Sequence, residues 1–188
     1  MTLEDRLEDI LRAAPGLMHV LDVARTLDLP DWLVFSGAVY QPVLNHLTGR
    51  PADYGIKDYD LGYFDPGDTS YAAEDRIIRQ VAEAFTPPFR ALVEVRNQAR
   101  VHLWFKDRFG EAYGPLGSTS EALTRFTSAT FAVGAKLGAD DRMTIVAPFG
   151  LEDLFALRIR PNPLRLNAGY ARTLATTQAR WPEIIAQI

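Results

Sequence analysis

Asp58 and Asp60 lie two residues apart in the stretch GIKDYDLGYFD (residues 55–65), which is otherwise rich in aromatic and aliphatic residues. Residues two apart in a β-strand project from the same face, so the two carboxylates are expected to be neighbours. Neighbouring carboxylates repel each other, and burying them is costly unless a cation lies between them. The pair therefore indicates a divalent-metal site built from oxygen ligands, as Mg²⁺ or Mn²⁺ prefers. Asp65, followed by Pro-Gly-Asp, is interpreted as the start of the turn that ends this strand.

The spacing of this pair is weakly specific by itself. With 24 acidic residues among 188, about three acidic-x-acidic pairs are expected by chance. The alternative interpretation is an edge strand, on which solvated aspartates discourage aggregation.

Two further features strengthen the metal interpretation. The apolar run WLVF (residues 32–35) leads into Ser36-Gly37 and a helical stretch, and a helix N-terminus of this kind binds phosphate through backbone N–H groups. Glu94 lies between two valines in a second predicted strand, where it either faces solvent or joins the aspartates. A turn, a carboxylate pair and a third carboxylate suit phosphoryl and nucleotidyl transfer. In that chemistry Glu94 would ligate a second metal or accept the proton of the attacking hydroxyl.

Two arginines follow Glu94 closely. Arg96 is expected on the same side of the strand as Glu94, and Arg100 lies just beyond. Either side chain would suit bidentate binding of a phosphate. The alternative is an ion pair with a surface carboxylate.

Composition restricts the kinds of site available. The chain has no cysteine and only three scattered histidines, which excludes disulfides and thiolate metal sites and argues against a zinc-type cluster. A net charge of −4 argues against broad, nonspecific nucleic-acid binding. The acidic, amphipathic N-terminus is unlike a targeting peptide and no apolar run reaches the length of a membrane span, so we expect a cytoplasmic protein.

Helical and strand patterns interleave, which predicts an α+β fold with a small mixed β-sheet flanked by helices. Helices are predicted in residues 2–13, 17–29, 38–49, 70–85, 120–126, 151–159 and 167–181. Strands are predicted in residues 32–35, 58–64, 91–97 and 143–150, and residues 98–110 fit either type. Without a linker-like segment, we expect one domain over 1–188, with a helical N-terminal segment 1–30, a core 31–160 and a C-terminal helix within 161–188.

Five stretches together resemble a bacterial nucleotidyltransferase-like family within the polymerase-β nucleotidyltransferase superfamily. They run from about Trp32 to the C-terminus and are SGAVYQPVLNHLTG, IKDYDLGYFD, EVRNQARVHLWF, APFGLEDLFALRIRPNP and RWPEI. The resemblance implies a polymerase-β-like fold with helical terminal segments and metal-dependent transfer of a nucleoside monophosphate from a nucleoside triphosphate to a hydroxyl acceptor. The usual turn of that superfamily is Gly-Ser or Gly-Gly, and its third carboxylate is usually aspartate, so Ser36-Gly37 and Glu94 depart from the pattern.

The resemblance also implies roles for individual residues. The catalytic carboxylates and ligands of Mg²⁺ (or Mn²⁺) would be Asp58, Asp60 and Glu94. The nucleotide-binding residues would be Ser36, Gly37, Arg96 and Arg100. The acidic net charge favours a small molecule or a protein over RNA as the acceptor.

Two other functions remain open at this point. Asp-x-Asp also binds nucleotide-sugar diphosphates through a metal in glycosyltransferases, although that fold usually has several strands before the motif and only one is predicted here. The second is a non-catalytic nucleotide-binding or interaction protein with the same fold. The orientation of Glu94 relative to Asp58 and Asp60 discriminates between catalysis and this last function.

Overall fold

A five-stranded mixed sheet lies at the centre of the computed structural model, which describes residues 1–165 and 169–187. Its strands are β1 (Leu33–Phe35), β2 (Tyr59–Tyr63), β3 (Val93–Asn97), β4 (Gly134–Leu137) and β5 (Met143–Val146). Their order is β3-β2-β1-β4-β5, with β2 and β3 parallel and the other pairs antiparallel. The expected small mixed sheet is confirmed. Strand β4 was missed because its short segment, GAKL, shows little alternation.

Helices surround this sheet. The longer ones are α1 (Leu3–Arg12), α2 (Pro15–Ala24), α3 (Gly37–Leu47), α4 (Tyr71–Ala84), α6 (Val101–Phe109) and α9 (Gly169–Arg180). The shorter ones are α5 (Phe89–Leu92), α7 (Thr119–Leu123) and α8 (Glu152–Phe155), and β6 (Arg158–Ile159) pairs in parallel with β7 (Ile185–Ala186). None of the helices in the described ranges is long and apolar enough to cross a membrane.

Several element boundaries differ from the sequence-based predictions. Helix α2 ends at Ala24 instead of reaching residue 29, because the chain turns there and Asp28 takes a positive φ of 50°. The helix predicted over 151–159 is only the four-residue α8, followed by Leu157 at φ 52° and strand β6. The ambiguous stretch 98–110 is a 3₁₀ turn followed by α6. Residues 166–168 and 188 of the predicted C-terminal segment lie outside the described residues.

Strand β2 separates the core from the predicted site. Tyr59, Leu61 and Tyr63 are buried on one face, within the main hydrophobic cluster. Asp60 therefore projects from the other face, as period-two alternation requires. A shift of one residue in register would expose the aromatic residues and bury the aspartate in the core, so the hydrophobic pattern fixes the orientation of Asp60.

Asn45 links helix α3 to two distant segments. Its side chain is fully buried, and its amide nitrogen donates to the carbonyl oxygens of Ala52 (3.1 Å) and Tyr54 (2.9 Å). Its amide oxygen accepts a 2.9 Å hydrogen bond from the indole N–H of Trp181. One side chain thus holds both the loop that leads into β2 and the segment that follows α9.

Replacement of Asn45 by alanine should lower the free energy of unfolding by about 3 kcal/mol, because three buried polar groups lose their partner. Urea unfolding measures this loss. His46→Ala, at the adjacent exposed position of the same helix, is the control and should change stability by less than about 0.5 kcal/mol. Equal effects of the two substitutions would show that Asn45 does not link these segments.

Candidate functional site

The sheet register places two carboxylate-bearing residues, Asp60 and Glu94, on one face. Asp60 pairs with Phe35 of β1 and with Glu94 of β3. Neighbouring residues in register project from the same face of a sheet, so the Glu94 side chain starts beside that of Asp60. Asp58, immediately before β2, is close enough for its charge to act on Asp60.

The electrostatic environment of Asp60 is unfavourable to its ionised form. Burial, the largest cause, and the neighbouring negative charge of Asp58 raise the pKa of Asp60 to about 6. A hydrogen bond from the Ser36 side chain opposes this rise in pKa, whereas the charge of Glu94 adds to it. The positive charge of Arg96 also opposes it. The site therefore holds negative charge that the protein alone does not neutralise.

Glu94 shares the register of Asp60, but its side chain projects toward solvent. Its side chain is 59% exposed, and its carboxylate lies 3.8 Å from the guanidinium of Arg96. Within residues 1–165 and 169–187, no group of three or more His, Cys, Asp or Glu side chains is placed to hold a metal ion. The position of Glu94 therefore does not support a third metal ligand, and its role in catalysis stays a prediction.

Asp58 and Asp60 nevertheless suit a divalent cation. Mg²⁺ is commonly held by one or two carboxylates, with phosphate oxygens and water completing its coordination. Burial of Asp60 and, secondarily, the charge of Asp58 disfavour its ionised form, and a bound cation would offset both effects. Asp58 and Asp60 are therefore the members of the predicted ligand set that lie close together, and their metal binding stays a prediction.

The turn between β1 and α3 brings Ser36 to these carboxylates. Ser36 is the N-cap of α3 and has φ 67° and ψ −144°, a region that is almost confined to glycine. Its side chain makes no capping hydrogen bond and interacts with Asp60 instead. A Cβ atom at Gly37 would lie 2.7 Å from Nε2 of Gln41, so a larger residue is not accommodated there without movement. The order Ser-Gly thus places a side chain at the strained position, directed toward Asp60.

The two arginines predicted to bind phosphate have different environments. Arg96 lines a cavity beside Ser36, and its guanidinium donates a 2.7 Å hydrogen bond to the carbonyl of Val95. Arg100 forms an ion pair with buried Glu74 and is only 12% exposed, and its Nε donates to the carbonyl of Thr69 at 3.1 Å. It also lies beyond the C-terminal end of β3, far from the register of Asp60. The structure thus gives Arg100 a structural ion pair and does not bring it to the site.

Two cavities adjoin the turn and share Ser36 and Tyr40. The smaller has a volume of about 220 Å³ and is mostly polar; its other lining residues are Gly37, Gln41, Gly55, Lys57, Asp58 and Arg180. The larger has a volume of about 550 Å³, and its lining includes eight aromatic side chains together with Arg96, Arg125 and Arg165.

Sequence reasoning missed Lys57, Arg180 and Tyr40 as site residues. Lys57 adjoins Asp58 in the chain, and that adjacency was an available signal. Arg180 is 125 residues from Gly55, the residue whose carbonyl it contacts, and nothing in the sequence indicated that proximity.

Ser36→Gly should raise the free energy of unfolding by about 1 kcal/mol relative to Ser36→Ala, since only glycine relieves the strained backbone. Both substitutions remove the hydroxyl, so their difference isolates the effect of the Cβ atom. Denaturant unfolding measures it. Equal stability of the two variants would argue against strain at this turn.

Asp60→Asn should stabilise the metal-free protein at about pH 8 by roughly 2 kcal/mol and have little effect near pH 4. The folded-state pKa of Asp60, about 6, lies above the ordinary value of 3.8, so the folded state binds this proton more tightly. The stabilisation of the folded state by this proton is complete below about pH 4 and is lost as pH rises to 6. Above pH 6 the ionised carboxylate destabilises the folded state. Unfolding at several pH values measures the difference. Asp107→Asn, at an exposed position, is the control, and the same pH dependence in both variants would refute the assignment.

Comparison with known proteins identifies the fold and family. A family model described as nucleotidyltransferase matches residues 22–186. A solved structure titled "The NMR structure of the protein reveals a CCA-adding enzyme head domain" superposes with a TM-score of 0.77, at 24% sequence identity, over 97% of this chain and 95% of that one. No curated protein matches the sequence. The fold is therefore that of a polymerase-β-like nucleotidyltransferase, and the chain belongs to a nucleotidyltransferase family.

Proposed function

We propose that this protein is a Mg²⁺-dependent nucleotidyltransferase that transfers a nucleoside monophosphate from a nucleoside triphosphate to a hydroxyl acceptor. The observation that carries the proposal is the pairing of Asp58 and Asp60 next to the Ser36-Gly37 turn. Their unneutralised negative charge suits a cation, and the adjacent helix N-terminus suits a phosphate.

The triphosphate is assigned to the start of α3. This helix has 11 residues, and Ser36 and Gly37 at its N-terminal end line the smaller cavity. The N–H groups of the first turn of a helix that lack an intrahelical partner point toward that end. Ser36, Gly37 and Asp58 all line that cavity, so phosphate and cation ligands meet in one place. Mn²⁺ has similar ligand preferences and is expected to replace Mg²⁺.

The reaction is a displacement at the α-phosphorus atom. The acceptor oxygen forms a bond to that phosphorus, and the bond from phosphorus to the oxygen bridging to the β-phosphate breaks. Pyrophosphate leaves with the electron pair of the broken bond. A divalent cation bound to the phosphates neutralises their charge.

The protein residues orient the reactants and accept a proton. Asp58 and Asp60 would hold the cation, which would supply positive charge to the phosphates. Glu94 is in register with Asp60 but extends toward solvent beside Arg96. Of its two predicted roles, this position suits acceptance of the acceptor hydroxyl's proton better than metal ligation.

The acceptor is assigned to the larger cavity. Its volume, about 550 Å³, is typical of small-molecule sites, and it meets the smaller cavity at Ser36 and Tyr40. The net charge of −4 is unfavourable for an RNA acceptor. A small molecule therefore fits best, with an exposed protein side chain as the next candidate.

A non-catalytic nucleotide-binding protein is the second candidate function. The specific observation in its favour is the outward position of Glu94, which is 59% exposed. Both candidates bind a nucleoside triphosphate with a divalent cation, but only the enzyme releases pyrophosphate. Incubation with labelled nucleoside triphosphates and a small-molecule extract, followed by mass spectrometry for nucleotidylated products, distinguishes the two. The enzyme should form a product that Glu94→Gln reduces at least about tenfold.

Calorimetric titration with each nucleoside triphosphate should show binding that requires Mg²⁺ or Mn²⁺. Asp58→Asn/Asp60→Asn should abolish it, because the cation loses both carboxylates. The control Asp107→Asn also removes a negative charge, at an exposed position on α6, and should bind like the wild type. Absence of binding with every nucleotide and both metals would contradict the proposed function.

A further inference from the structure

We infer that Lys57 and Arg180 bind the β- and γ-phosphates of the nucleotide in the smaller cavity. This inference rests on the proposed function, because it concerns the part of the same nucleotide that leaves as pyrophosphate. It assigns a binding role to two residues that the sequence motifs did not include, one of them contributed by the C-terminal helix α9.

The charge in the smaller cavity suits a polyphosphate. Lys57 and Arg180 line it together with the Ser36-Gly37 end of α3, and Asp58 is the one carboxylate among the described residues that line it. Many arginines of this protein are neutralised by carboxylates, as Arg100 is by Glu74. In the part of the chain that the structure describes, by contrast, neither Lys57 nor Arg180 forms such an ion pair. Their positive charge is therefore left for a ligand.

A buried polar atom in the same cavity lacks a partner. Gln41 is only 7% exposed, and its Oε1 has no hydrogen-bond partner among the described residues. Its amide lies between two glycines: added Cβ atoms would approach Nε2 to 2.7 Å from Gly37 and Oε1 to 3.4 Å from Gly55. An unsatisfied buried polar atom is costly and calls for a ligand or water. A water molecule in the hydration shell of a bound phosphate would supply the missing donor, and the N–H groups of the same amide are donors for the phosphate oxygens.

Arg180 is held in position before any ligand binds. Its Nη1 donates to the carbonyl of Gly55 at 3.1 Å, and its guanidinium lies 5.4 Å from the ring centroid of Trp181. Trp181 is in turn hydrogen-bonded to buried Asn45. The contact with Gly55 orients the guanidinium without neutralising it, so little conformational entropy is lost when a phosphate binds.

Calorimetric titration in Mg²⁺ with a nucleoside triphosphate, the matching monophosphate and inorganic tripolyphosphate tests this inference. Lys57→Met/Arg180→Met should weaken binding of the triphosphate and of tripolyphosphate at least about tenfold, since two charge-assisted contacts are lost. Binding of the monophosphate should stay unchanged. The control, Lys106→Met/Arg172→Met, removes the same charges at two exposed positions and should leave all three affinities unchanged.

The outcomes separate this inference from the proposed function. If the wild type binds the triphosphate and the double substitution does not weaken that binding, the inference is overturned but the proposed function is not. Equal weakening of monophosphate and triphosphate binding would have the same meaning. Failure of the wild type to bind any nucleotide would overturn both the inference and the proposed function. Binding of tripolyphosphate without formation of a nucleotidylated product would contradict only the catalytic step. The single substitution Lys57→Met tests the inference without the risk of misfolding, because Lys57 is exposed. It should weaken triphosphate binding severalfold.

Discussion

The partly buried carboxylate of Asp60, held beside Asp58, is the interaction on which the site depends. The fold places it there through the register of β2 against β1 and β3, which the buried aromatic face of β2 fixes. Burial and the charge of Asp58 raise the pKa of Asp60 to about 6, so the metal-free protein carries an electrostatic penalty at neutral pH. Perturbed pKa values of this kind are typical of functional sites.

The residues around the two aspartates come from distant parts of the chain. The strained Ser36 turn and the aspartates come from the first third, whereas Arg180 comes from the last helix. The buried hydrogen bonds of Asn45 join these parts, because they connect α3, the loop before β2 and Trp181. The C-terminal segment therefore both stabilises the fold and forms one wall of the smaller cavity.

The sequence predicted those features that depend on local pattern. Alternation along residues 58–64 predicted a strand, and β2 (Tyr59–Tyr63) buries its aromatic residues on one face and directs Asp60 from the other, with Asp58 just before its start. It could not predict features that depend on distant contacts. Arg100 is paired with Glu74, 26 residues away in the chain, and Arg180 reaches the smaller cavity only through tertiary packing. The outward course of Glu94 likewise depends on a side-chain conformation that strand alternation does not determine.

The most direct test of this account is an NMR titration of the Asp60 carboxyl carbon with pH, in the absence and presence of Mg²⁺ and a nucleoside triphosphate. Without metal, the pKa of Asp60 should be about 6. With metal and nucleotide, it should fall below the ordinary value of 3.8, because the cation stabilises the ionised form. An ordinary pKa that does not respond to metal and nucleotide would contradict the central claim that the two aspartates form a cation site.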